Sequence, residues 1–497
     1  MKANKIPRSS RKHRHSATTT PTPLAELNPD QARAVAELAA AINRGDPACR
    51  LLGYAGTGKS FSVVRLLKAY AAQRPVLLTA PTNKAAAVLR AMAAEIGGKV
   101  KATTIHKALG LRPEVDADRG RCLLKRVKNA EIPDGALVVV DECSMVDGPL
   151  LRFIRQGAKA AHAQLLFVGD PAQLPPIFEA ESPAFSGDGA TARLTQIVRQ
   201  QADHPILSMT QRIRDAMAGA PVPVFQTHRG ASGSLIHLDA AGFETALLAT
   251  MGSPAYQTDP DHCRVLAWTN GRTDSYNRIV RRALLGPKAD EQALLPGEVV
   301  VACQPILEGG VSIGDTVTVL AAVPETHPTQ AVPCLRTTIS TEKGKTVEAW
   351  VVRPEGIERY RLRLSALAKT AQQFQAEHNA HRDAGTLHRY PQSQDRARRA
   401  AWVEFFDFKD ATFADLRPLH AATVHRSQGS TYQTVFVDLS DIGRSTRRDV
   451  LLRLLYVGLT RARGDVIVTG ELPARLYLDT GELVREWIER GVDERLL

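Results

Sequence analysis

Gly53-Tyr54-Ala55-Gly56-Thr57-Gly58-Lys59-Ser60 is the stretch on which the reading of this chain turns. It fits the pattern G-x-x-x-x-G-K-[S/T], follows a predicted strand at residues 50–52 and opens a predicted helix at Lys59. A strand, a glycine-rich loop and a helix are therefore expected in that order. Average residue frequencies allow about two chance matches per hundred chains of this length, so the motif carries weight. Glycines let consecutive backbone N–H groups turn inward, and the helix N-terminus adds its positive dipole end, which makes a cradle for phosphates. ATP with Mg²⁺ is the expected occupant: Gly53, Ala55, Gly56, Thr57 and Gly58 shape the loop, Lys59 neutralises the β- and γ-phosphates, and Ser60 ligates Mg²⁺.

Outward from the motif, helix alternates with strand. Leu27-Asn28-Pro29-Asp30-Gln31 reads as a capped helix start, and strands are predicted at 76–79, 136–140 and 164–168, with a helix over 83–96 between the first two. That alternation implies an open α/β domain with a parallel sheet. A second such pattern starts with a strand at 264–269 and a helix at 272–284, halts at Leu295-Pro296-Gly297, and resumes after Pro418 with a strand at 434–438, a helix at 451–459 and a strand at 465–468. Between its halves lie short β-type runs at 299–302, 316–320, 335–339 and 347–352, broken by glycines as in a small barrel. Residues 364–406 then read as polar helix, and the spacing of Trp402, Phe405 and Phe406 points to core rather than to a base-stacking surface.

Composition narrows the class. Of 497 residues, 64 are Lys or Arg and 52 Asp or Glu, giving a net charge of +12; hydrophobic residues at 44% and charged residues at 23% exclude a wholly disordered, collagen-like or coiled-coil chain. Residues 1–15 alone carry six cations and no acid, so the body is only mildly basic, and residues 1–24 are expected to be a disordered basic tail. The six cysteines are scattered with no C-x-x-C pair, and no apolar run approaches membrane-span length. A cytoplasmic, nucleoid-associated protein without a membrane partner is expected.

Two further strand ends carry chemistry. Val138-Val139-Val140-Asp141-Glu142 puts a carboxylate pair after a buried strand, with Asp141 suited to the Mg²⁺ shell and Glu142 to activating water. The strand over 164–168 runs into Gly169-Asp170-Pro171-Ala172-Gln173, whose Gln173 is assigned to the γ-phosphate.

Taken with Ala80-Pro81-Thr82-Asn83-Lys84, Thr104-Ile105-His106, Leu194-Thr195-Gln196-Ile197-Val198-Arg199-Gln200, Thr423-Val424-His425-Arg426-Ser427-Gln428-Gly429-Ser430-Thr431 and Tyr456-Val457-Gly458-Leu459-Thr460-Arg461-Ala462-Arg463, these stretches resemble the ordered motifs of superfamily 1 DNA helicases from residue 27 to 463. Within that superfamily the chain looks most like the 5′-to-3′ branch containing RecD and the phage Dda helicase; Arg426 stands where that branch usually has Lys, and both are cationic. The resemblance implies two RecA-like P-loop domains, over 25–225 and over 226–295 plus 418–497. It also implies a pin-like hairpin insert at 111–130 and an SH3-like β-barrel with a helical extension over 296–417. It implies that Gln31 reads adenine, that Arg199, Arg461 and Gly429 join the nucleotide site, and that Pro81, Thr82, Asn83, His106, Thr423, His425, Arg426 and Ser427 contact single-stranded DNA. The implied activity is ATP-dependent 5′-to-3′ translocation and unwinding, with single-stranded DNA and ss/ds junctions as substrates, replication or repair proteins as partners, and a monomeric state. A translocase that strips bound proteins without unwinding, or a nucleotide-gated clamp, are the alternatives.

Overall fold

A helix whose ends are written in the sequence starts the first core. Asn28 Oδ1 accepts the Gln31 N–H at 2.8 Å while Gln31 Oε1 accepts the Asn28 N–H at 3.2 Å, and Pro29 takes the first helical position, where a missing N–H costs nothing. Gly45, at φ 85°, ends the helix Pro29–Arg44. Ala34, Leu38, Ala41 and Ile42 then fall on one face and are buried against the sheet. The computed structural model describes residues 27–116, 120–177, 179–197, 204–306, 310–342 and 344–477.

Strands β1 (Ala48–Gly53), β2 (Val76–Ala80), β3 (Val100–Thr104), β4 (Leu111–Asp116), β5 (Arg121–Arg126), β6 (Leu137–Val140), β7 (Gln164–Gly169) and β8 (Thr191–Leu194) follow. Six of them form a wholly parallel sheet in the order β3-β2-β6-β7-β1-β8, while β4 and β5 pair as an antiparallel hairpin. Parallel strands covered on both faces read as unbroken apolar runs, as in β6, every residue of which is buried. Leu52 is in register with Gly169, and Val140 with Phe167, so the chain leaves β1, β6 and β7 at one edge of the sheet. Ligands of open α/β sheets bind beyond that carboxyl edge.

The second half comprises β9 (His228–Gly230), β10 (Gly233–Leu238), β11 (Cys263–Ala267), β12 (Val299–Ala302), β13 (Thr316–Thr326), β14 (Pro333–Thr341), β15 (Thr346–Val352), β16 (Leu416–Pro418), β17 (Ala421–Thr423), β18 (Tyr432–Asp438) and β19 (Ala462–Thr469). One sheet runs β17-β11-β18-β19-β10-β9, parallel except for the β9 edge. Its core takes in Leu454, Leu455 and Tyr456 of the helix Arg448–Thr460 and Ile206, Met209 and Ile213 of the helix Pro205–Met217. The other sheet is antiparallel, β15-β14-β13-β12-β16, with a register shift in β13 between Val319 and Ala321 that lets this long strand bend.

The helical reading of 364–406 is met by two helices, Ile357–Asp383 and Gln392–Asp410, the second starting after Pro391, whose ring closes off any continuation from before it. Trp402 and Phe406 are buried, as their spacing implied, and pack with Val115 of the hairpin. Gly120, at φ 58°, lies so close to this face that a Cβ there would sit 2.4 Å from Trp402 Cζ2. The hairpin therefore rests on the insert's helices; its tip, 117–119, and the expected basic tail lie outside the described residues. Among the described residues no helix is long and apolar enough to cross a membrane.

Candidate active site and nucleic-acid interface

The loop between β1 and the helix Lys59–Tyr70 turns on Gly56 and Gly58, at φ 83° and 81°, a region closed to residues with a Cβ except at a cost. Gly53 is needed for space: a Cβ there would meet Thr57 Oγ1 at 2.7 Å and Leu194 Cβ at 3.0 Å. Thr57 Oγ1 donates to Tyr54 O at 2.9 Å, and Lys59 Nζ donates to Gly53 O at 2.7 Å and Tyr54 O at 3.0 Å, so the ammonium lies over the loop it is expected to serve. Gln31 is buried, and its Nε2 donates to Thr57 O at 3.2 Å, which ties the first helix to the loop.

Two strands away from β1, Asp141 follows β6. Burial, reinforced by Glu142, pushes its carboxyl well above the usual carboxylate range, against the pull of the Glu142 N–H and Lys59. Asp141 and Ser60 border one cavity of about 10 Å³ whose other walls, from Val63 to Val168, are apolar. A hydroxyl and a carboxylate are hard oxygen donors of the kind Mg²⁺ takes beside phosphates, so the donor chemistry of Ser60 and Asp141 fits that ion. Glu142 adopts φ 49°, ψ 41°, a left-handed conformation rare for a residue with a side chain, and its N–H is held by Asp141 Oδ1 at 2.9 Å. Gln173, beyond β7, is buried and accepts from Ser144 Oγ at 3.4 Å. Lys59, Ser60, Asp141, Glu142 and Gln173 thus all lie beyond the same sheet edge.

The second half reaches this edge through residues the sequence reading did not single out. Tyr456 Oη accepts the Ala55 N–H at 2.9 Å and donates to Asp170 Oδ2 at 2.7 Å; Arg453 Nη1 donates to Pro171 O and Gln173 O at 2.6 and 2.7 Å; Gln428 Nε2 donates to Leu174 O at 3.3 Å. Arg461 does not reach the loop in this arrangement: it is buried in its own half, with Nε on Val457 O at 3.2 Å and Nη1 on Ser430 O at 3.2 Å. Gly429, expected at the nucleotide, instead has Thr82 and Ala85 as nearest neighbours, 3.2 and 3.3 Å from where its Cβ would stand, because its φ of +76° turns the loop against the helix Asn83–Ile96. Arg199 lies outside the described residues.

Thr82, Asn83, Thr423, His425 and Arg426 line a single cleft of about 410 Å³, walled by the first half, the second half and the insert. Across it Lys84 Nζ meets Asp261 Oδ2 at 2.6 Å, Asn83 Nδ2 donates to Asp315 Oδ1 at 3.2 Å, and Arg426 Nη1 contacts Cys303 Sγ at 3.0 Å. Burial lowers the His425 pKa, so the ring enters the cleft neutral at pH 7. Three expected strand contacts are not on this surface. Ser427, expected to contact single-stranded DNA, is fully buried with its hydroxyl donating to Val424 O at 2.7 Å, and neither Pro81 nor His106 borders the cleft.

A family model described as an AAA domain matches residues 26–230, and one described as a UvrD-like helicase C-terminal domain matches 418–469. Over 150 residues the chain is 31% identical to the uncharacterized protein R530 of Acanthamoeba polyphaga mimivirus, covering 27% of this chain and 30% of that one. Over 190 residues it is 32% identical to the RecBCD enzyme subunit RecD of Mycobacterium tuberculosis, covering 34% and 31%. The chain spans about a third of the length of the curated relatives it matches. Similar solved structures include the Pif1 helicase from Candida albicans, at 17% identity and TM-score 0.44 over 94% of this chain and 99% of that chain, and Bacteroides Pif1 bound to ssDNA, at 15% and 0.45 over 94% and 98%.

Proposed function

We infer, from a chain of the superfamily 1 helicase type whose AAA-domain and helicase C-terminal matches lie in the order its motifs require, that it couples ATP hydrolysis to 5′-to-3′ travel on single-stranded DNA and unwinds duplex ahead of it. One observation carries this reading: the second half touches the phosphate loop through Tyr456 and the cleft wall through Gly429, so a shift of that half moves both places together. In this reading 25–225 and 226–295 plus 418–497 are two RecA-like domains, with the helix Pro205–Met217 at the end of the first packed into the core of the second; 296–417 is an SH3-like barrel with a helical extension, and the hairpin over 111–130 is a steric pin.

The residues divide the work. Lys59 and the loop N–H groups bind the triphosphate, and Gln31 reads the adenine. Ser60 and Asp141 would hold Mg²⁺, which would neutralise charge developing on the phosphates. Glu142 takes a proton from the attacking water, and Gln173 orients the γ-phosphate. Arg199 and Arg461 supply the cations that spread charge on the transferring group, Arg461 after the halves close and its guanidinium exchanges Val457 and Ser430 carbonyls for phosphate oxygens. In the cleft, Thr82, Asn83, Thr423 and neutral His425 offer hydrogen bonds and Arg426 a charge, a set that grips backbone without reading sequence. A monomer acting at ss/ds junctions, alongside replication or repair proteins, completes the reading.

Duplexes with a 5′ or a 3′ single-stranded tail provide the test. With ATP and Mg²⁺, the labelled strand should be displaced from the 5′-tailed substrate and retained on the 3′-tailed one. Displacement only from the 3′-tailed duplex would reverse the polarity, and ATP consumption with neither displaced would favour the translocase that does not unwind.

A further inference from the structure

Tyr456 is a point at which the second half holds the phosphate loop itself. Its side chain is fully buried, and its one oxygen makes both bonds available to a phenol, accepting the Ala55 N–H at 2.9 Å and donating to Asp170 Oδ2 at 2.7 Å. Asp170 is also fully buried and spends its other oxygen on the Ala172 N–H at 2.9 Å. Burial, and then the Asp170 charge, raise the Tyr456 pKa, so the phenol stays a donor across the working range. The Arg214 guanidinium stacks 4.4 Å from the centre of the Tyr54 ring, also in the phosphate loop, and 5.8 Å from that of Tyr456, which fixes both rings from the side.

The other end of this contact reaches the strand cleft. Val424, between the cleft residues Thr423 and His425, is buried in the same core cluster as Leu455, Tyr456 and Leu459. The cleft loop and the helix that carries the phenol thus share one close-packed core, a physical route by which movement of one can reach the other.

We propose that Tyr456 is a positioning residue that couples the two sites: strand binding in the cleft shifts the helix Arg448–Thr460, and the phenol transfers that shift to the Ala55 N–H and to Asp170 at the end of β7. It touches no phosphate and takes no part in the chemistry. The inference rests on the reading of the chain as a strand-coupled ATPase.

The test is a thermodynamic cycle with the full chain. The affinity for a fluorescent single-stranded oligothymidylate is measured with and without a non-hydrolysable ATP analogue, for wild type and Tyr456→Phe. The wild type should show a nucleotide-dependent change, and in Tyr456→Phe that change should shrink at least about fivefold while each ligand alone still binds. An unchanged ratio in a folded Tyr456→Phe overturns the inference and leaves the strand-coupled reading intact; no nucleotide effect in the wild type overturns that reading instead. Should the variant fail to fold, hydrogen exchange on the wild type decides: oligonucleotide alone, without nucleotide, should alter protection of the peptide spanning 53–58, and unaltered protection overturns the proposal.

Discussion

Arg461→Ala is expected to lower ATP turnover by about 10³- to 10⁵-fold, the range that an arginine supplied to a transferring phosphoryl group commands. Arg461 caps the helix Arg448–Thr460, is buried, and bonds carbonyls of its own half rather than anything on the phosphate loop. These neutral carbonyls hold the guanidinium without neutralising it, so the charge stays available to a stronger acceptor when the halves approach. Arg461→Lys keeps the charge and loses the planar fork, and should fall between alanine and wild type. Because Nη1 also anchors Ser430 O beside the cleft, the alanine variant should lose about 1 kcal/mol of stability as well. Single-turnover hydrolysis at saturating ATP, with a thermal melt on the same sample, separates the two effects. Turnover within tenfold of wild type would remove Arg461 from the reaction.

Glu142→Gln is expected to cost about 10²- to 10⁴-fold in turnover, the usual worth of a positioned general base, and to leave nucleotide affinity within a fewfold of wild type. Glutamine has nearly the same shape, so the left-handed backbone at this position and the bond from its N–H to Asp141 Oδ1 persist. What is lost is the ability to accept a proton. Lys59→Ala differs in kind: its Nζ lies over Gly53 O and Tyr54 O, at the mouth of the loop, so its removal should weaken binding along with turnover. Equilibrium binding of a labelled ATP analogue beside rapid-quench hydrolysis distinguishes them. A Glu142→Gln variant that turns over normally would mean that another group activates the water.

Much of this was legible in the residues because local rules act locally. The capping box at Asn28 and Gln31, the glycines of the phosphate loop and the unbroken apolar run of β6 each declare an element without tertiary help. The strands at the sheet's margins do not. β3 is only partly buried along its length, and β8 alternates exposed with buried over four residues, too short a pattern to stand out from a loop. The candidate site divides in the same way. Lys59, Ser60, Asp141 and Glu142 sit in motifs whose spacing is their signal. Asp170 and Tyr456, by contrast, are 286 positions apart, and only the packing of two halves brings them together. Ser427 shows the converse: its place in a motif suggested a contact to single-stranded DNA, whereas the turn it occupies sends its hydroxyl inward to Val424 O.

Whether the strand drives ATP turnover is measured by steady-state ATP hydrolysis by the purified full chain, with and without an unstructured single-stranded DNA oligonucleotide at fixed Mg²⁺. A seam that joins phosphate loop and cleft predicts a severalfold rise in rate on adding the oligonucleotide, saturating with its concentration. The same rate in its presence and absence would contradict it.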